Sequence, residues 1–198
     1  MTDTPPAEPK SVLHEYLRSA RAAILWKLEG LSEYDMRRPL TPTASNLLGL
    51  IKHLTGCEVG YFADTFGRPF PDAPEWLYDD DAEINIDMWA RADEPSAEII
   101  DRYRRACAHG DETIQALELD SIGHVPHWPA PRDKVTLHTI LVHMLAETSR
   151  HSGHADILRE SVDGAAGHRA GVSNLPDEDT AWWAAYRDKV EQAAAELK

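Results

Sequence analysis

The sequence has few cysteines and no long hydrophobic run. Its two cysteines, Cys57 and Cys107, give neither a disulfide framework nor a cysteine-based zinc motif. No stretch approaches the ~20 apolar residues that cross a bilayer, and the first residues lack the positive and apolar regions of a signal peptide. We therefore expect a cytoplasmic protein that does not enter a membrane.

Basic residues are also scarce relative to acidic ones. The chain has 20 Lys and Arg against 34 Asp and Glu, a net charge of -14, which would repel a phosphate backbone and excludes nucleic acid as a partner. The hydrophobic fraction of 42% is ordinary for a folded protein. The length of 198 residues predicts a single domain over residues 1–198, with a flexible lead over residues 1–10.

Strand-like alternation is absent, whereas apolar residues recur at helical spacing in four long segments. The predicted helices run from Ser11 to Gly30, over 46–66 after a cap at Ser45, over 97–119 after a cap at Ser96, and over 137–161 after a cap at Thr136. A last helix contains Trp182, Trp183, Tyr186 and Val190, and residues 31–44, 67–95 and 120–135 form connectors. This pattern predicts an all-α protein, an antiparallel four-helix bundle with long connectors and an extra C-terminal helix.

The fourth predicted helix has a stripe of polar residues that can bind a metal. His143, Glu147 and His151 are spaced four residues apart and therefore lie on one helix face, and His154 falls on the same face. Apolar residues continue the stripe at both ends, which points it toward the core. A buried carboxylate beside imidazoles can be stabilised by a divalent cation, although a hydrogen-bonded pair remains the simpler alternative.

Two ligands from one helix hold a metal weakly, so a third should come from another helix. His53, near the middle of the second predicted helix, is the best candidate. Two histidines and one carboxylate leave positions for water or substrate, as in catalytic sites. Zinc proteases of the HExxH type and ferritin-like di-iron bundles are disfavoured, because HExxH is absent and neither Glu147 nor Glu58 has a histidine three residues later.

Three segments resemble the DinB-like family, and more narrowly its DUF664 branch. They are residues 46–54, residues 136–160 and the Trp182-Trp183-Ala-Ala-Tyr186 run. The resemblance implies a four-helix bundle with a divalent metal at its centre. Many relatives have a histidine in the second helix and a His-x-x-x-His pair in the last core helix, where Glu147 here replaces the first member. The same His, Glu, His pattern occurs in mycothiol-dependent maleylpyruvate isomerase, so the resemblance implies His53, Glu147 and His151 as ligands.

The resemblance also implies an activity. It predicts a metal-dependent enzyme that transfers or uses a low-molecular-weight thiol, mycothiol, against an electrophilic substrate. Zinc is the preferred ion, with nickel, manganese or iron as alternatives, and a homodimer is expected. We assign His154 as a catalytic proton carrier or a partner of Glu147, and Arg159 as an anchor for the thiol or substrate, although an arginine there can also stabilise a helix end.

Two other functions stay open from the sequence. The same ion could serve a non-catalytic metal-dependent binding or stress-response protein, or the polar stripe could be a buried hydrogen-bond network in a helical dimer. The roles of His143, Cys57 and Arg150 are left open.

Overall fold

The computed structural model describes residues 8–198, and it confirms an all-α architecture. Its elements are α1 (Pro9–Trp26), α2 (Glu33–Arg37), α3 (Leu47–Glu58), α4 (Ser96–Ala116), β1 (Ile122–His124), β2 (Lys134–Thr136), α5 (Leu137–Asp163) and α6 (Thr180–Ala195). Of the predicted flexible lead, residues 1–7 lie outside the described part, and residues 9 and 10 belong to α1. None of the helices between residues 8 and 198 is long and apolar enough to span a membrane.

Helices α1, α3, α4 and α5 form the bundle, with α1 packed mainly on α5 and α3 mainly on α4. The pairs α1–α5 and α3–α4 run parallel. Along α1 and α5, Ser152 donates to the carbonyl of Ala20 and Arg159 to that of Lys27, so both helices advance together. The pairs α1–α4 and α3–α5 run antiparallel.

The parallel arrangement of α3 and α4 explains the long connector between them. A chain that leaves the end of α3 must return to its beginning before α4 can start, and residues 67–95 make this crossover. The crossover is ordered, with one 3-10 turn at Glu75–Leu77 and a second at Ile86–Met88. The connector predicted over residues 67–95 is therefore an ordered crossover.

Three of the four predicted helix caps are wrong. Helix α1 begins at Pro9, which suits a first helical position because its missing N–H has no partner to lose there, so Ser11 lies inside the helix. Asn46 rather than Ser45 caps α3, accepting a hydrogen bond from the N–H of Gly49. Pro95 precedes α4, and the Ser96 hydroxyl donates to Glu33. The cap at Thr136 is confirmed, since its side chain accepts from the N–H of Thr139.

Two connectors contain structure that the sequence pattern did not indicate. Residues 31–44 include the short helix α2, and residues 120–135 contribute to an antiparallel hairpin in which Gly123 faces Val135. Each strand has only three residues, too few for alternation to show. The second predicted helix spans the expected residues, but α3 proper ends at Glu58 and continues as a π turn, Val59–Ala63, and a 3-10 turn.

A charged pair crosses the core between α1 and α3. The Arg21 guanidinium donates two hydrogen bonds to the Glu58 carboxylate, at 2.7 and 2.6 Å, and a third to Asp111. Both partners of the first pair are buried, so each satisfies the charge of the other. Glu58 is therefore fully engaged, which gives a physical reason for its not serving as a di-iron ligand.

Candidate metal centre

One group of side chains in the described part of the chain could hold a metal ion. His53 from α3 and Glu147 and His151 from α5 each offer one ligand atom, and these atoms all lie within 4.8 Å of one another. The structure therefore brings together all three residues predicted as ligands. The antiparallel packing of α3 on α5 places them at one level.

The distances within the group fit a shared cation. Glu147 Oε1 lies 3.4 Å from His53 Nε2 and 3.0 Å from His151 Nε2. Two ligand atoms about 2.0 to 2.2 Å from one tetrahedral ion lie about 3.3 Å apart, so the observed separations suit nitrogen and oxygen ligands around a divalent metal. The side chains of His53, Glu147 and His151 are 24, 28 and 12% exposed, so one side of the group faces solvent.

Asp87 contacts the ring nitrogen of His53 that is directed away from Glu147. Its Oδ2 lies 2.7 Å from Nδ1 of His53, which leaves Nε2 directed at Glu147. Burial lowers the pKa of His53, but hydrogen bonds with Asp87 and Cys57 outweigh it and raise this pKa to about 11. The hydrogen bond from His53 in turn lowers the pKa of Asp87. His53 must therefore lose a proton before its Nε2 can bind a metal, whose positive charge would replace that of the proton.

The other two ligands have the charge states that a metal needs. Burial raises the pKa of Glu147, but hydrogen bonds from His53 and His151 hold it below its ordinary value, so the carboxylate is ionised near neutral pH. Burial and the neighbouring His53 lower the pKa of His151, which keeps that imidazole neutral. An ionised carboxylate and a neutral imidazole are the forms in which these residues bind metals.

The crossover is fastened to α3 next to His53. Asn46 donates to the carbonyl of Met88 at 3.1 Å, and Lys52 donates to the carbonyl of Trp89 at 3.0 Å. A Cβ on Gly49 would lie only 1.9 Å from the Met88 carbonyl oxygen, so only glycine allows the crossover to approach this closely. These contacts fix the 3-10 turn that contains Asp87.

Aromatic side chains adjoin the group toward the hairpin. The Tyr61 ring lies 4.5 Å from that of His143, and the Trp128 ring 5.2 Å from it. Between this cluster and the ligands lies Cys57, whose Sγ is 3.5 Å from Nε2 of His53. Trp128 therefore belongs to this cluster, whereas Trp76 packs over Gly56.

A family model described as mycothiol-S-transferase matches residues 12–164, which include the whole four-helix bundle apart from the first residues of α1. The chain belongs to the mycothiol-S-transferase family. This membership confirms the resemblance to the DinB-like superfamily, of which the mycothiol-S-transferases are members. A search of the curated proteins found no match.

The match to the mycothiol-S-transferase family covers all three candidate ligands and ends at the residue that terminates α5. Gly164 stops this helix with a left-handed backbone, at φ 77°. The C-terminal helix α6 therefore lies outside the matched region.

The two remaining predicted site residues are placed differently from the ligands. His154 is exposed, and its Nδ1 lies 3.3 Å from Nδ1 of His151, so it contacts that imidazole rather than Glu147. Arg159 is buried at the far end of α5, where it donates to the carbonyls of Lys27 and Glu29 and to the Asp163 carboxylate. These contacts tie the end of α1 to α5. A role of Arg159 in binding a thiol stays a prediction, and the contacts support the structural role.

Asp87 is the residue of the site that sequence reasoning missed. It belongs to an acidic crossover and has no fixed spacing from His53, 34 positions earlier. The sequence pattern predicts only a connector over residues 67–95, and this does not single out any carboxylate. Histidines that bind metals commonly have a carboxylate on their other ring nitrogen. The contact between Asp87 and Nδ1 of His53 matches this pattern.

Proposed function

We propose that this protein is a metal-dependent transferase that uses mycothiol as its thiol and a divalent metal, zinc by preference, bound by His53, Glu147 and His151. The observation that carries the proposal is the convergence of these three ligand atoms on a partly exposed point in a chain of the mycothiol-S-transferase family. Three protein ligands leave room for a further ligand, which suits a site that receives a thiol.

The residues of the candidate metal centre have separate roles in the proposed reaction. A divalent cation at this site supplies the positive charge that lowers the pKa of a thiol and so generates a nucleophile near neutral pH. Asp87 orients His53, and His154 abuts His151 from the solvent side. The thiol would lose its proton, and its sulfur would then bond to an electrophilic carbon of the second substrate. The bond from that carbon to its leaving group would break at the same time, and the leaving group would depart with the electron pair. We assign His154 as the carrier of that proton to solvent because it is exposed.

The cellular setting forms part of the same proposal. Both cysteines are free, which supports a reducing compartment, the cytoplasm. A small-molecule thiol and an electrophile are the proposed partners, and a homodimer is the proposed assembly.

Metal content tests the ligand set directly. Elemental analysis of the purified protein is expected to give about one divalent ion per chain, and Glu147→Ala and His151→Ala are expected to remove most of it. His138→Ala, at an exposed position of the same helix, is the matched control and should keep the metal. Unchanged metal content in the first two variants would refute the assignment.

Thiol consumption tests the enzyme assignment. The metal-loaded protein is expected to consume mycothiol in the presence of a panel of electrophiles, and Glu147→Ala is expected to reduce the rate at least about 100-fold. If the metal is bound but no electrophile in the panel supports turnover, a non-catalytic metal-dependent binding protein is the better description.

A further inference from the structure

The C-terminal helix α6 presents an aromatic surface that no element within residues 8–198 buries. None of its residues is buried, and Trp182, Tyr186 and Val190 are 38, 47 and 53% exposed. Trp182 stacks on Tyr186 at 5.2 Å and meets Trp183 edge-on at 4.9 Å. We call these four residues the α6 aromatic face. A helix of 16 residues has little stability alone in water. We therefore expect the α6 aromatic face to pack against another surface.

A second surface of the chain is unusually poor in charge. Nine residues of α5 between positions 138 and 157 are exposed, and Arg150 is the one with a formal charge. On α4, five of nine exposed residues are charged, namely Glu98, Asp101, Arg104, Arg105 and Glu112. Depletion of charge at the centre is the compositional mark of a protein interface. The exposed surface of α5 therefore has a smaller share of charged residues than that of α4, as an interface has compared with free surface.

The shape of this surface suits large side chains. Val142, Ala146, Ser149, Gly153 and Ile157 follow one another along the side of α5 that is opposite the core, and we call them the α5 outer face. Val142 and Ile157 are 46 and 66% exposed, and a Cβ on Gly153 would meet nothing within 4 Å. Apolar residues thus flank a shallow stretch of small ones.

We propose that the α6 aromatic face packs on the α5 outer face of a second copy of this chain, and that the exchange is reciprocal. Both surfaces belong to the same chain, so a two-fold axis lets two copies cover all four of them at once. Two copies with a net charge of -14 each repel one another, and the α5 outer face is where they can approach with the least repulsion.

The area involved is sufficient for a dimer. From the exposed fractions of its side chains, each α6 aromatic face offers on the order of 300 Å² of surface. Two such faces seated on matching surface remove on the order of 1,200 Å² from water, which reaches the range of specific interfaces. One face alone would bury about half of that, so the exchange gains from being reciprocal.

Analytical ultracentrifugation of the full chain tests the proposal. The unaltered protein is expected at twice the 22.1 kDa of one chain. Ala146→Glu on the α5 outer face and Tyr186→Asp on the α6 aromatic face are each expected to weaken dimerisation about 100-fold or more, because each places an unpaired charge in the interface. Ala108→Glu, at an exposed alanine of α4, is the matched control and should leave the dimer intact.

Tryptophan fluorescence distinguishes a second copy from other occupants. If α6 is covered by a partner, dilution of the unaltered protein should shift its emission to longer wavelength, and Ala146→Glu should show that emission at every concentration. A monomer with emission independent of concentration would mean that α6 folds onto its own chain, and would overturn the proposal. A dimer that survives either Ala146→Glu or Tyr186→Asp would also overturn the proposal. Pairing of the α5 outer face with itself, or of the α6 aromatic face with itself, would involve only one of the two surfaces and would be disrupted by only one of the substitutions.

Discussion

At the residue scale, the candidate metal centre depends on one carboxylate that does not bind the ion. Asp87 accepts from Nδ1 of His53 and thereby sets which nitrogen of the ring faces Glu147. Without it, the imidazole could rotate away from Glu147. The affinity of the proposed metal site is therefore expected to depend on the crossover as well as on the three candidate ligands.

Asp87→Asn is expected to lower zinc affinity about 10- to 100-fold, because the amide supports the orientation of His53 less well than a carboxylate. Competition with a chromophoric chelator measures the change. Asp80→Asn, at an exposed aspartate of the same crossover, serves as the control and should bind zinc like the unaltered protein. Equal affinities for the two variants would show that Asp87 does not position the ligand.

At the element scale, the feature that matters most is the fastening of the crossover to α3. Gly49 lets the Met88 carbonyl approach, and Lys52 joins the crossover at both Trp89 and Glu94. These contacts are all within two turns of His53 along α3. Damage to the crossover is therefore expected to reach the metal site through Asp87.

Gly49→Ala is expected to destabilise the protein by about 2 kcal/mol or more, because its Cβ would overlap the Met88 carbonyl and push the crossover outward. Urea denaturation gives the free energy of unfolding. At Gly60 a Cβ meets nothing within 4 Å, so Gly60→Ala should change stability by no more than about 0.5 kcal/mol. Equal free energies of unfolding for the two variants would contradict the close contact between Gly49 and Met88.

The contact between Lys52 and Glu94 makes the attachment of the crossover to α3 depend on pH. Burial raises the pKa of Glu94, but hydrogen bonds from the Arg91 N–H and from Lys52 outweigh it and hold the pKa below its ordinary value. Its contribution to stability is therefore complete above about pH 4.3 and is lost as the pH falls through the lowered pKa.

Glu94→Gln should cost about 1 kcal/mol of unfolding free energy at pH 7, and the difference from the unaltered protein should shrink as the pH falls below about 4.3. Urea denaturation at a series of pH values measures it, with Glu83→Gln, at an exposed glutamate of the crossover, as the control. A difference that grows as the pH falls would contradict the assigned direction of the pKa shift.

Helical periodicity was enough to predict the four long helices, because repeating patterns encode which side of a helix is buried. The three candidate ligands that the structure brings together were predicted from the polar spacing and the family resemblance combined. Periodicity could not predict Asp87, the hairpin or the approach at Gly49. Each of these depends on contacts between segments far apart in the chain, and a single glycine or a strand of three residues produces no pattern. The three wrong caps are local errors. Helices α1 and α4 begin without a side-chain cap, and Asn46 rather than the adjacent Ser45 caps α3.

At the scale of the whole molecule, the candidate metal centre joins two helices that otherwise share less contact than the main pairs α1–α5 and α3–α4. A divalent ion bound by both α3 and α5 would hold the native state against unfolding. Binding to the folded state alone raises stability by mass action.

Zinc at about 100 times its dissociation constant is expected to stabilise the protein by about 2.7 kcal/mol, which corresponds to a rise in Tm of roughly 5 to 10 °C for a chain of this size. Differential scanning calorimetry with and without zinc measures it. His53→Ala should show little of this rise, and an equal rise in that variant would indicate binding elsewhere.

His53 and Glu147, which meet at the candidate site, are separated by 94 positions in the chain. During synthesis the first ligand leaves the ribosome long before the other two, and the helix that carries those two is the last of the bundle to emerge. The nascent protein therefore has no competent site until translation of the bundle is almost complete. Loading of the proposed ion would consequently follow synthesis of the bundle, and a chain that carried the ion would be one whose bundle had already closed.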